Sequence, residues 1–380
     1  MRSRLGTAVL LLASVAPVAA QSSQFGVRGL GLPMRPFSVR ASATGGALGL
    51  FDSESSFNPA SIGLVSFTTA SFQTLQSWRR SESPSGSVTA RDNRYPGVFV
   101  AAPIGGTQLA IALSASGYTD RNFSIASRDT LVLRDVPVET IDTLRSLGGV
   151  TDVRAGIAWR GSTRLQVGLG IHLLTGSNRI SSSRRFSDTT YAGATEEATV
   201  SYLGMGVSAG VMARLGRVLT LAGMVRADEK LRVERDSLRV GTTKLPLTLA
   251  GGARVQFGDQ LQLAGSATYR TWSSADNDIV AQGGVGSVNT IEFNVGLEYL
   301  RDPRRPNNLP LRLGFYRARL PFPVIRGQNI NETGITIGTS KRFVADRAGF
   351  DLAVGQVWRK GGPGFSERAT LVTVGISVRP

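Results

Sequence analysis

Cysteine is absent and histidine occurs once in 380 residues. An exported chain of this size must then hold together without disulfides, which excludes the small cross-linked scaffolds of oxidising compartments. With one imidazole and no thiolate, a transition-metal site lacks ligands, and neither a metal nor a cofactor is expected. Lysine is nearly missing too, standing only at Lys230, Lys244, Lys341 and Lys360. Long apolar runs are confined to the first twenty residues, whereas a membrane-spanning helix needs about 20 such residues elsewhere in the chain. A helical membrane protein is excluded for the mature chain. If it meets a bilayer, it does so with strands.

Those first residues form a secretory signal: Arg2 and Arg4, an apolar run from Leu5 to Val15, and the small-residue exit Val18-Ala19-Ala20. Residues 1–20 are expected to leave after Ala20. The formal charge of +16 is of the size that marks nucleic-acid binders. The basic residues are almost all arginine, however, and they are scattered rather than gathered into one stripe. Export points the same way, so no nucleic-acid partner is expected. Anionic head groups attract the same charge, and the expected surroundings are outer-membrane lipid and lipopolysaccharide. No linker or shift of composition interrupts the chain beyond about residue 64, so the mature protein reads as one unit, a monomer by preference.

From residue 150 the pattern has period two. In Lys244 to Phe257, Leu245, Leu247, Leu249, Ala253, Val255 and Phe257 alternate with Lys244, Thr248, Arg254 and Gln256. The same split runs through Leu165 to Leu173 and through Ile291 to Tyr299, giving strands with one apolar and one polar face. Arginine at outward Leu249 or Val295 is therefore expected to be costly, and at Thr248 or Asn294 tolerated. Strands are predicted near 64–78, 95–103, 107–118, 150–159, 164–175, 198–213, 217–227, 244–257, 260–272, 289–300, 309–317, 332–343, 348–358 and 369–379. That is an even number, fourteen. Connections alternate between short turns and long segments at 79–94, 119–149, 176–197, 228–243, 273–288, 318–331 and 359–368. This is the stringing of a transmembrane antiparallel β-barrel, an all-β fold. It puts the barrel at 64–380 in a bacterial outer membrane, with both termini in the periplasm and the long loops outside the cell. Trp78, Trp159, Trp272 and Trp358 each close a predicted strand, as Tyr95, Tyr118, Tyr299 and Tyr316 nearly do, which points to interfacial girdles.

Signatures of catalysis are thin, and no enzyme is expected. Gly206-Val207-Ser208-Ala209-Gly210 matches G-x-S-x-G, but that serine belongs on a strand-to-helix elbow and here the alternation runs straight through it. The overlapping Gly204-Met205-Gly206 fingerprint lacks the helix that dinucleotide binding requires. His172 falls on a polar strand face, where a pore-lining role is the plain expectation.

The informative stretch precedes the barrel. It holds Arg40, a small-residue run through Gly45-Gly46-Ala47, an acidic turn at Asp52 to Glu54, and Asn58-Pro59-Ala60. Small residues allow close packing in a lumen, and Pro59 biases Asn58 to an extended shape. This stretch resembles the amino-terminal region of the FadL-type long-chain fatty acid transporter family and its PorV-like relatives. The resemblance implies a fourteen-strand barrel with residues 21–63 as a lumenal plug, gated at Arg40, Gly45, Gly46, Asn58, Pro59 and Ala60. It implies passive transport of hydrophobic or amphipathic small molecules such as long-chain fatty acids, with a PorV-like holder of type IX secreted proteins as the alternative. The ligand-collecting segment is expected at 119–149, through Leu131, Leu133, Val136, Ile141 and Leu144. The chain departs from the family pattern in an inner face bearing Arg154, Arg164, Arg254, Arg270, Glu292 and Glu298, and in its end, Val378-Arg379-Pro380, which lacks a terminal aromatic.

Overall fold

A computed structural model describes residues 23–84, 86–301, 309–343 and 347–379. The signal segment at 1–20 and the terminal Pro380 lie outside the described residues. The strands are β1 (Leu32–Pro33), β2 (Thr69–Ser83), β3 (Gly86–Pro103), β4 (Leu109–Asp120), β5 (Phe123–Leu133), β6 (Val136–Arg160), β7 (Leu165–Phe186), β8 (Ala194–Leu215) and β9 (Leu219–Asp228). They continue with β10 (Leu231–Arg235), β11 (Leu238–Thr243), β12 (Thr248–Phe257), β13 (Leu261–Arg270), β14 (Thr290–Tyr299), β15 (Leu311–Leu320), β16 (Ile330–Phe343), β17 (Ala348–Lys360) and β18 (Ser366–Val378). All but β1, β5, β10 and β11 form one antiparallel ring of fourteen. β18 closes it onto β2, from Val378 opposite Ala70 to Ser366 opposite Glu82. No helix among the described residues is long and apolar enough to cross a membrane.

The ring strands match the fourteen expected ones in order, but several run far past their predicted ends. β6 has 25 residues and β7 and β8 have 22 each, whereas about 9–11 span a bilayer. Their excess extends past the apolar band of the ring as a rim. The segment at 119–149 is thus a hairpin, β5 against β6, rather than an irregular loop. Its turn, Arg134-Asp135, has φ of 51° and 64°, the mirror-image turn whose twist suits paired strands. Asp236-Ser237, at 47° and 71°, closes a second hairpin, whose β10 strand turns back to pair with β8.

The two faces follow the alternation. Val295 is 60% exposed while Asn294 beside it is 1% exposed. Leu165, Val167, Leu169, Ile171 and Leu173 point outward, which gives the ring the apolar exterior of a membrane-spanning barrel. Thr248 and Asn294 are both buried, and Asn294 Cγ lies 3.3 Å from where a Gly46 side chain would start, so arginine at either site meets packed surroundings rather than an open lumen. Three aromatic positions also differ from the expected girdle. Trp78, Trp159, Tyr95 and Tyr299 are exposed, but Trp272 and Tyr316 are buried, and Tyr118 packs against Trp272. Trp272 opens a short 3-10 helix that turns inward past β13, a shift in β4 between Gly117 and Thr119 breaks the phase at Tyr118, and Tyr316 shares the inward phase of Arg312. Depth along the ring decides the cost of a charge. Val295→Arg, mid-strand, is expected to destabilise refolding into phosphatidylcholine vesicles by about 2–4 kcal/mol, and Phe257→Arg, at a short-turn end, by about 0–1 kcal/mol, both measured by urea titration.

Candidate functional site: a lumenal segment, its cavity and a break in the wall

Residues 23–65 run along the inner faces of the ring. Helix α1 (Val39–Ala43) is capped by Ser38, whose hydroxyl accepts from the Ala41 N–H. The 3-10 helix Pro59–Leu64 is capped by Asn58, whose Oδ1 accepts from the Ala60 N–H at 3.0 Å, with proline where the missing N–H is harmless. Helix α1 touches β15, β16, β17 and β18, while Pro59–Leu64 touches β4, β6, β7 and β8. Arg40 reaches Glu298 on β14, and Leu50 lies against Gly252 on β12. A segment in contact with opposite walls of a ring lies within it. Small residues make that possible. Ala41, Ala43, Ala47 and Ala60 are fully buried, and a side chain at Gly45, where φ is 66°, would stand 2.9 Å from the backbone of Phe315.

A cavity of about 140 Å³ remains between this segment and the wall. Leu32, Met34 and Phe37 bound it on one side and Leu75, Val354 and Leu371 on the other. Its charged corner is nearly satisfied: Arg35 lies 3.6 Å from the Tyr316 ring centre and pairs with Glu332 at 2.9 Å and Glu292 at 3.1 Å. Arg359 also pairs with Glu332. Arg79 is different. It is buried, its Nε donates to Ser77 at 3.1 Å, and its Nη1 has no hydrogen-bond partner among the described residues.

The wall is interrupted next to this cavity. β3 and β4 pair only from Gly97 opposite Ser116 to Pro103 opposite Ala110, and beyond Gly97 the outer part of β3 is paired with β2 alone. A cleft of about 280 Å³ lies in the gap, lined by Tyr95, Gly97, Val98, Gly117 and Thr151 among others. Met34 borders both the cleft and the cavity, and its sulfur fills the place a Gly117 side chain would take.

No protein-family model and no curated protein matches the sequence. Solved structures do. A Pseudomonas aeruginosa FadL homologue aligns over 92% of this chain and 99% of its own at 14% identity, with a TM-score of 0.63. The Ralstonia pickettii toluene transporter TbuX aligns over 91% and 98% at 16% identity, TM-score 0.59, and the monoaromatic hydrocarbon channel CymD over 92% and 98% at 14%, TM-score 0.57. The chain has the FadL-type fold.

On that fold the residues singled out in the amino-terminal stretch fall into two groups. Arg40 donates from Nε and Nη2 to Glu298 at 2.8 and 2.6 Å, with Gly45 and Gly46 close by against β14 and β15. Asn58, fully buried, donates to the Leu50 carbonyl at 2.9 Å, and with Pro59 it lies over Gly168 and Gly210 on the opposite wall. The second expected group does not join them. Leu131 and Leu133 are half-buried, and Val136, Ile141 and Leu144 are exposed, on the β5–β6 hairpin, and none lines the cavities described here. Arg154, Glu292 and Glu298 are buried on the inner wall as expected, but Arg164 is exposed in a turn. His172 is 2% exposed and bonded at both ring nitrogens, so it does not line an open pore. Sequence reasoning missed Met34 and Arg79, since one methionine and one strand arginine carry no local signal.

A second cavity of about 110 Å³ holds Asp52 and Glu54 of the segment against Asp351, Arg342 and Arg379. Burial first, then the Asp52 and Asp351 charges, push the Glu54 carboxyl up to about 7, against the two arginines. A raised acid holds its proton in the seated segment, so its contribution is complete below the ordinary value of 4.5 and is lost as pH rises through about 7. Limited proteolysis within residues 23–60 is expected to be faster at pH 8.5 than at pH 5.5, and Glu54→Gln to flatten that dependence.

Proposed function

We propose that this chain is a passive outer-membrane channel for small hydrophobic or amphipathic molecules, with residues 21–63 as its plug. The observation that carries the reading is the cavity between segment and wall, separated by Met34 and Arg94 from a break in the hydrogen-bonded ring. A ligand in the cavity needs the Met34 and Arg94 side chains and a short strip of segment to move, not the strands of the barrel. The apolar lining supplies affinity at roughly 25 cal/mol per Å² buried, and the spare N–H of Arg79 suits a carboxylate or another acceptor. Size narrows the class. The cavity's 140 Å³ is close to the roughly 150 Å³ of an apolar cavity that takes benzene, which favours one ring or a short stretch of chain over a whole long acyl chain. The toluene and hydrocarbon channels of the same fold fit that size. On this reading the short-turn end, where Ala70 meets Val378, faces the periplasm and the β5–β6 and β10–β11 hairpins stand outside.

The test is uptake of labelled toluene and benzoate by intact bacteria whose lipopolysaccharide leaflet excludes both. Met34→Trp is expected to block both probes. Arg79→Gln is expected to lower benzoate uptake about tenfold relative to toluene, the size of one lost charged hydrogen bond of about 1.5 kcal/mol. Uptake equal to that of cells without the protein defeats the reading, and a secreted protein that co-purifies with the barrel would favour a PorV-like holder instead.

A further inference from the structure

Three consecutive ring strands carry a second constellation on the lumen side. His172 of β7 has its Nδ1 at 2.9 and 3.0 Å from the two Asp152 oxygens of β6, and its Nε2 at 2.9 Å from Ser208 Oγ of β8. Asp152 is itself held by Arg226. A carboxylate can only accept, so Nδ1 carries the proton and Nε2 presents its lone pair to the Ser208 hydroxyl. Ser208 is the serine of the G-x-S-x-G sequence. Its neighbours Gly206 and Gly210 along β8, and Gly170 opposite on β7, leave its hydroxyl unshielded by Cβ atoms. A side chain at Gly170 would meet Ser208 Oγ at 2.7 Å, Arg154 Cδ at 3.5 Å and His172 Nε2 at 3.6 Å, so these groups border one spot. Arg154 is 1% exposed, and its Nε, Nη1 and Nη2 have no hydrogen-bond partner among the described residues. Buried donors left so are costly, and three on one guanidinium suit an oxyanion.

We propose that Ser208, His172 and Asp152 form a nucleophilic relay that hydrolyses small carboxylic esters in the lumen, with Arg154 holding the oxyanion. The roles follow from geometry, not from an elbow. Ser208 Oγ bonds to the ester carbonyl carbon as its proton passes to His172 Nε2, and the carbonyl electron pair moves to the oxygen facing Arg154. Collapse breaks the ester C–O bond, and the alcohol leaves with the proton from His172. A water molecule then attacks the acyl-serine in the same way, releasing the carboxylic acid and restoring Ser208. Access rests on movement of the plug proposed above: Ser208 is 4% exposed, and Asn58 and Pro59 cover Gly168 and Gly210 beside it. A cavity of about 40 Å³ between Phe57 and the wall already reaches Asp152.

The experiment uses the full mature chain in detergent micelles and a fluorophosphonate probe, with the adduct located by mass spectrometry and p-nitrophenyl butyrate turnover measured in parallel. An adduct on Ser208 is expected, formed faster in the Asn58→Ala/Pro59→Gly variant. His172→Gln is expected to slow labelling and turnover at least about 100-fold, and Ser208→Ala to abolish both. Benzoate uptake by the Ser208→Ala protein should match the unaltered chain, so that loss of esterase activity and loss of transport are read separately. No Ser208 adduct in either the unaltered chain or the double variant overturns the proposal, as does labelling that survives His172→Gln unchanged.

Discussion

Everything else in this structure depends on the closure of one hydrogen-bond ladder. Within hydrocarbon an unpaired N–H or C=O costs several kcal/mol, so a sheet is stable there only as a ring, and the pairing of β18 with β2 completes it. Closure creates an inside that fourteen rows of side chains do not fill. Residues 23–65 occupy it, through alanines and glycines that let backbone lie on backbone. Where the ladder is relaxed, between the outer parts of β3 and β4, the cleft appears.

The same closure makes the inner wall a poor place for unpaired charge. The buried arginines along it are largely paired: Arg312, Arg359 and Arg226 of the wall with Glu298, Glu332 and the Asp152–Asp228 couple, and Arg40 and Arg35 of the segment with Glu298 and Glu332. Removing one partner of such a pair costs about 3–5 kcal/mol because the other charge is stranded. Against that background Arg79 and Arg154 are informative. Each has buried N–H groups without a partner, one beside the apolar cavity and one beside Ser208, and both positions are where an acceptor from outside the protein would be stabilised. Glycines serve the same wall by leaving depth: Gly156 for Ile62, Gly168 and Gly210 for the Asn58-Pro59 turn, Gly206 for the Asp228 carboxylate, and Gly170 for Ser208 and Arg154.

How far the chain could be read beforehand differs between wall and interior. The fourteen strands, their order and the outward set Leu165, Leu169, Ile171, Val295 were all legible, because period-two alternation is a property of adjacent residues and a wall with one apolar side forces it. Strand ends were not, since β6, β7 and β8 continue past the apolar band, where no apolar face is required and polar residues such as Arg179, Ser182 and Glu196 still pair. The G-x-S-x-G sequence has no elbow, yet Ser208 meets His172 on the neighbouring strand by a diagonal, a contact that no spacing within β8 could announce.

The sequence by itself determined that this is an all-β barrel, which face of each strand points outward, and that the glycine- and alanine-rich stretch before it packs closely, because each follows from local polarity and side-chain size. Only the tertiary structure decided what that stretch touches. Arg40 and Glu298 are 258 residues apart, Met34 stands between a cavity and a gap whose walls come from several strands, and Asp152, His172 and Ser208 lie on three strands. Such contacts are set by ring closure and strand register, which place distant residues side by side without leaving any periodic trace in the chain.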